Sequence, residues 1–230
     1  MQPEELAKTI DHTLLAPTTT VADVERLCSE AIEYHFATVC VLPWFVPIAH
    51  SLVKDADVKV CTVIAFPYGA DMTRAKMTSA DEVVSKGADE IDVMINLPAL
   101  LSGQFGAVRD DLASVVRAAR LRSVNTGRGH VTVKAIIETC YLTTPLKRLA
   151  CKICEGAGVD FVKTSTGVGP HGATVPDVEL LRDELGEAIG VKASGGIRTV
   201  RDVELMINAG AARIGTSAGV SIVRELLAAT

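Results

Sequence analysis

Eight short runs rich in β-branched and apolar residues recur along the chain, and each is followed by a segment whose apolar positions have helical spacing. The runs are Thr9–Leu14, Phe36–Val41, Val58–Phe66, Glu90–Ile95, Val131–Glu138, Phe161–Thr164, Val191–Ser194 and Arg213–Thr216. Near-continuous apolar strands joined by helices call for a parallel sheet covered on its faces. Eight such units in 230 residues fit a closed α/β barrel, the single-domain TIM (β/α)8 architecture, better than an open sheet. A doubly wound sheet is the alternative, but no GxGxxG follows the first strand. No linker, charge block or low-complexity tract divides the sequence, so residues 1–230 are expected to form one domain.

Helix starts are marked by capping-box spacing at Thr20, Ser79 and Thr199, and by Thr144 before a first-turn Pro145. A weak repeat ties helices to the strands that follow them. Gly87-Ala-Asp-Glu-Ile-Asp92, Gly158-Val-Asp-Phe-Val-Lys163 and Gly210-Ala-Ala-Arg-Ile-Gly215 each place a glycine where a helix stops and a strand begins. Because side chains alternate across a strand, Asp92 and Lys163 share one phase, pointing into the barrel mouth. Ile91 and Val162 then face the covering helices.

An ammonium at the end of an apolar strand is costly unless it is paired or neutralised. Lys163 occupies such a position, and Lys192 occupies the equivalent one in the next strand, each followed by small residues. The bland reading is a pair of structural lysines with carboxylate partners. The functional reading is that repulsion and desolvation keep one amine uncharged at working pH, able to attack a carbonyl and form a Schiff base. The functional pair is the favoured reading. Asp92 beside them is a proton-transfer candidate or a counter-ion. Asp11, from the first strand, serves either to orient the lysines or to touch substrate, and Lys134 is a third strand lysine. Two loops are suited to an anion: Ser194-Gly195-Gly196 after the seventh strand and Gly215-Thr216-Ser217 after the eighth. Barrels often bind phosphate at these loops, on helix N-terminal N–H groups. Thr166 and Gly167 are placed to close the same site.

Composition narrows the partners. A net charge of −5 argues against a general nucleic-acid binder. The longest uncharged run, residues 36–53, contains two prolines and a histidine and falls short of a membrane span. The early acids of the N-terminus do not resemble a secretory signal. A cytoplasmic protein is expected. The six cysteines read as reduced and structural, including the CxxC pair Cys151 and Cys154 inside a helical pattern. His12, His35, His50 and His130 show no HxH or HExxH spacing, so no metal is expected.

The residues that carry this chemistry resemble the deoxyribose-phosphate aldolases, class I aldolases on a TIM barrel. The likeness runs from Ile10-Asp-His-Thr-Leu-Leu15 to Arg213-Ile-Gly-Thr-Ser217. Its most specific pieces are Asp89-Glu-Ile-Asp92, Ile137-Glu-Thr-Cys140, Val162-Lys-Thr-Ser-Thr-Gly167 and Val191-Lys-Ala-Ser-Gly-Gly-Ile-Arg198. The resemblance implies reversible cleavage of 2-deoxy-D-ribose 5-phosphate to glyceraldehyde 3-phosphate and acetaldehyde, without cofactor or metal. It assigns the imine to Lys163, the supporting lysine to Lys192 and proton transfer to Asp92. The implied partners are the phosphorylated sugar and acetaldehyde, with no nucleic acid or membrane; a homodimer is admitted by the sequence but not fixed by it. The chain departs from many members at Leu42, Pro98, Val168 and His171. The alternatives are a Schiff-base aldolase for another sugar phosphate, a barrel isomerase using Asp92 as base without covalent chemistry, and a catalytically dead binding protein.

Overall fold

The computed structural model describes residues 2–228, so both expected domain limits, 1 and 230, lie outside the described residues. Eight parallel strands close on themselves in chain order, each hydrogen-bonded to the next, with the eighth returning to the first. They are β1 (Ile10–Leu14), β2 (Thr38–Val41), β3 (Lys59–Ile64), β4 (Glu90–Met94), β5 (Thr132–Ile136), β6 (Phe161–Lys163), β7 (Gly190–Ser194) and β8 (Arg213–Thr216). The helices are α1 (Pro3–Ala7), α2 (Val21–Glu33), α3 (Val46–Val53), α4 (Thr73–Ser85), α5 (Leu97–Leu101), α6 (Phe105–Thr126), α7 (Thr144–Ala157), α8 (Val175–Glu184), α9 (Val200–Asn208) and α10 (Gly219–Ala228). All eight expected strands are present, and the closed ring replaces the open-sheet alternative.

Several strands end earlier than their apolar runs. β3 stops at Ile64 because Ala65 turns into the left-handed region, and Glu138 does the same two residues beyond β5. The expected start at Thr20 is realised: its side chain accepts from Asp23 N while Asp23 reaches back to the Thr20 backbone. Thr199 and Asp202 repeat that arrangement. Ser79 does not cap a helix. It lies inside α4, whose N-terminus is Met72 with no side-chain cap, so the capping-box pattern there is a coincidence within a helical run. α7 begins one residue early, with Thr143 before it and Thr144 in its first turn. Gly87, Gly158 and Gly210 all have positive φ, and Gly158 closes α7 in the left-handed conformation, where a Cβ would be strained.

Strand alternation sorts the interior into two zones. Ile91, Val93, Val133, Ala135, Val162, Val191 and Ile214 face outward and are buried under the helices in the main apolar core. Cys151 and Cys154 sit in that core on α7, where burial pushes the Cys151 thiol up to about 11 and Cys154 further; neither is suited to redox exchange. The inward positions hold Asp11, Glu90, Asp92, Lys134, Lys163 and Lys192, every one of them buried. A fully buried Val, Leu or Ile contributes about 1.5–3 kcal/mol, so the outer zone can offset an interior built from ions.

Candidate active site

The ionic interior is organised around Asp92. Register places Asp92 beside Lys134, Lys163 beside Lys192, and Lys192 beside Arg213 on adjacent strands. Lys163 Nζ donates to Asp92 Oδ2 at 2.8 Å, and Lys192 Nζ donates to the same oxygen at 2.7 Å. The other oxygen, Oδ1, accepts from Lys134 Nζ at 3.0 Å, with the Cys61 thiol 3.3 Å away. Lys134 also lies 2.6 Å from Glu90 Oε2 and 3.7 Å from Asp11 Oδ2. Lys192 pairs with Asp11, and Arg213 bridges Asp11 and Glu90 from below.

This arrangement corrects one expectation. Lys163 and Lys192 do not simply repel each other; a shared carboxylate stands between them. Burial pulls Lys192 down, but Asp11 and Asp92 outweigh it and hold the residue above the ordinary lysine value. Burial likewise pushes Asp92 up, yet Lys134, Lys163 and Lys192 together hold it well below the usual carboxylate range. Lys192 is therefore held charged by these two carboxylates.

Which amine can act on a ligand is decided by access. A cleft of about 580 Å³ opens at the C-terminal ends of the strands. Of the three interior lysines only Lys163 lines it. Its exposure is just 2%. Lys163 also has a single carboxylate partner, whereas Lys192 has two and Lys134 three. Asp92 and Lys192 have no exposed surface and sit immediately behind it. Asp11 is also fully buried. It accepts from Thr38 and pairs with Lys192.

The remaining expected residues, Thr166, Gly167, Ser194, Gly195, Gly196, Gly215, Thr216 and Ser217, all line the cleft. Three of their hydroxyls are committed within the protein. Thr166 donates to Glu138, Ser194 to Ser165 O at 2.6 Å and Thr216 to Ile197 O at 2.8 Å. By contrast, the backbone N–H groups of Gly167, Gly195, Gly196 and Ser217 have no acceptor among the described residues. These loops offer an anion main-chain donors, a concave nest of the kind phosphate occupies. The β6 and β7 loops touch backbone to backbone: Ala173 N donates to Ser194 O at 2.9 Å, and a Cβ on Gly172 would fall 2.0 Å from Gly195 O.

Sequence reasoning passed over four functional neighbours. Arg198 borders the cleft and supplies a cation there. Glu138 is buried with φ +52 and accepts both the N–H (3.1 Å) and the hydroxyl of Thr166, fixing the loop that follows Lys163. Its motif was visible, but its partner lies 28 residues away. Glu90 and Arg213 complete the ion network. His12, in contrast, points outward to Glu30 (2.7 Å) and packs on Phe36. Among the described residues, the two sets of acids and thiols close enough to share a cation, Cys40–Cys61–Asp92 and Asp11–Cys61–Glu90, already have lysine ammonium groups among them.

Relatives agree with this architecture. The family model for DeoC/LacD family aldolases matches residues 6–229. A deoxyribose-phosphate aldolase of Thermoanaerobacter sp. (strain X514) is 53% identical over 220 residues, 96% of each chain. One from Carboxydothermus hydrogenoformans is 52% identical over 223 residues, 97% of this chain and 96% of its own. Among solved structures, QR15, an aldolase, superposes with a TM-score of 0.90 at 39% identity, covering 97% of this chain and 96% of that one. The deoxyribose phosphate aldolase of Aeropyrum pernix, described as having a unique tetrameric structure, gives a TM-score of 0.90 at 34% identity over 100% and 94%. A lysine-lined cleft in a closed barrel and near-complete alignment lead to one conclusion: the chain belongs to the deoxyribose-phosphate aldolase family.

Proposed function

We propose that the protein reversibly cleaves 2-deoxy-D-ribose 5-phosphate to D-glyceraldehyde 3-phosphate and acetaldehyde through an imine on Lys163. The observation that carries this reading is that Lys163 is the interior lysine that lines the cleft, with a proton-accepting carboxylate 2.8 Å behind it. In the uncharged form, Nζ attacks the aldehyde carbon of the open-chain sugar, and loss of water leaves a protonated imine that acts as an electron sink. Loss of the C3 hydroxyl proton breaks the C2–C3 bond, releases glyceraldehyde 3-phosphate and leaves an enamine. Protonation at C2 and hydrolysis then return acetaldehyde and the free amine.

Asp92 serves as the proton store. Its Oδ2 accepts from both Lys163 and Lys192, so a proton leaving Lys163 passes directly to a carboxylate that Lys192 stabilises. An imine N–H offers one donor where the ammonium offers three, so conversion of Lys163 loosens that oxygen and raises its basicity. Phosphate is held by the N–H groups of Gly167, Gly195, Gly196 and Ser217, with Arg198 adding charge at the rim. A non-covalent isomerase with Asp92 as free base is disfavoured, because that carboxylate has three lysine partners and no exposed surface.

The test is reduction with borohydride in the presence of acetaldehyde. A reduced ethyl adduct on the peptide containing Lys163 is expected, and Lys163→Leu is expected to lose both adduct and turnover. An adduct absent from wild type, or found on another lysine, overturns the assignment. None of the helices is long and apolar enough to cross a membrane among the described residues. The cysteines are free thiols, which suits a reducing cytoplasm. Self-association is part of the same proposal, since the Aeropyrum relative is described as tetrameric.

A further inference from the structure

Charge inside the barrel does not balance. Four cationic side chains point inward: Lys134 from β5, Lys163 from β6, Lys192 from β7 and Arg213 from β8. Three carboxylates meet them: Asp11 from β1, and Glu90 and Asp92 from β4. The thiols of Cys40 on β2 and Cys61 on β3 complete the ring: burial above all pushes the Cys61 thiol up, whereas a hydrogen bond with Cys61, and then Lys192 and Lys163, pull the Cys40 thiol below its ordinary value. At the rim the charged groups are Glu138, tied to Thr166, and Arg198.

With Lys134 set aside, every carboxylate still has a cation. Asp11 has Lys192 and Arg213, Glu90 has Arg213, and Asp92 has Lys163 and Lys192. The same holds when any other one of the four is set aside, so the network carries one cation more than its carboxylates require, and Lys134 is a member of that excess that does not line the cleft. A surplus positive charge in a closed, poorly solvated interior is relieved when one amine gives up its proton, and the amine with one carboxylate partner and access to the cleft is Lys163. Lys134 has a second effect, because by taking Asp92 Oδ1 it leaves Oδ2 to face the other two lysines.

We infer that Lys134 is a positioning residue for imine formation: it supplies the excess positive charge that makes Lys163 available as an uncharged nucleophile, and it fixes the Asp92 carboxylate. The inference rests on the Schiff-base reading above.

The test follows borohydride-trapped acetaldehyde adduct as a function of pH. The acid limb of that profile marks protonation of the reacting amine. Lys134→Met keeps the length and removes the charge, giving three cations against three carboxylates. Its limb is expected to move to higher pH by about 1 unit, with trapping about tenfold lower on the old limb. The double variant Lys134→Met/Glu90→Gln restores a surplus of one and is expected to bring the limb back, whereas a role in packing alone predicts further damage. Glu90→Gln alone enlarges the surplus and is expected to move the limb to lower pH, so it carries the test if Lys134→Met fails to fold. A Lys134→Met or Glu90→Gln limb coincident with wild type, or a double variant with no return, overturns the inference. Wild type without adduct at any pH overturns the Schiff-base reading instead.

Discussion

Asp92 divides its two oxygens among three ammonium groups, and this sets what its replacement would do. Asp92→Asn keeps the shape but removes the proton acceptor behind Lys163. We expect kcat to fall by about 10²–10⁴-fold, with KM for the phosphorylated sugar changing far less, because the anion loops are untouched; steady-state kinetics check the split. Lys192→Leu acts differently. It strips a partner from Asp11 and Asp92 together, and losing one member of a buried ion network costs on the order of 3–5 kcal/mol. The same change removes a neighbouring cation, so the acid limb of adduct trapping is expected to move to higher pH. A limb that stays in place while thermal stability drops would mean that Lys192 supports the fold and leaves the amine unaffected.

At the scale of elements, the loops after β6 and β7 form a single unit because glycine backbones meet there. Gly195 has φ +87, and a Cβ on Gly172 would overlap its carbonyl. Gly172→Ala forces the two main chains apart and misaligns the N–H groups of Gly167, Gly195 and Gly196. KM for the phosphorylated sugar is expected to rise at least tenfold, while turnover of unphosphorylated deoxyribose changes little; equal effects on both substrates would count against the anion seat. Much of this level was legible in advance. The eight strands, the glycine stops before β4, β6 and β8, and the caps at Thr20 and Thr199 depend on contacts within a few residues of each other. Local patterns carry that information. Ser79 shows the limit, since a capping-box spacing inside α4 is indistinguishable in sequence from one at a helix start.

Across the molecule, closure of the ring creates what no local pattern records. Alternation put Asp92, Lys163 and Lys192 on the inward phase, but it could not say that Glu90, Lys134 and Arg213 would join them in one network, because each meets partners far away in the chain, up to 202 residues for Arg213 and Asp11. The repulsion expected between Lys163 and Lys192 was misjudged for the same reason: the carboxylates between them come from β1 and β4. The network has a global signature in pH. Asp11 and Asp92 are held below the ordinary carboxylate value of 3.8, so their stabilisation is complete above it and fades as pH falls further. Lys192 is held above the ordinary lysine value of 10.5, so its stabilisation is complete below it and fades as pH rises further. The melting temperature should therefore be insensitive to these groups between about pH 4 and 10 and fall on either side. Asp11→Asn is expected to lower the plateau and soften the acid fall, which a thermal melt series measures. The cleft adds one more consequence. Where an anion would rest, the free donors include peptide groups while the hydroxyls of Thr166, Ser194 and Thr216 are occupied, so trimming any of these three to alanine deletes no donor. Redirecting the barrel toward uncharged aldehydes then calls for reshaping chain path as well as for removing the Arg198 charge.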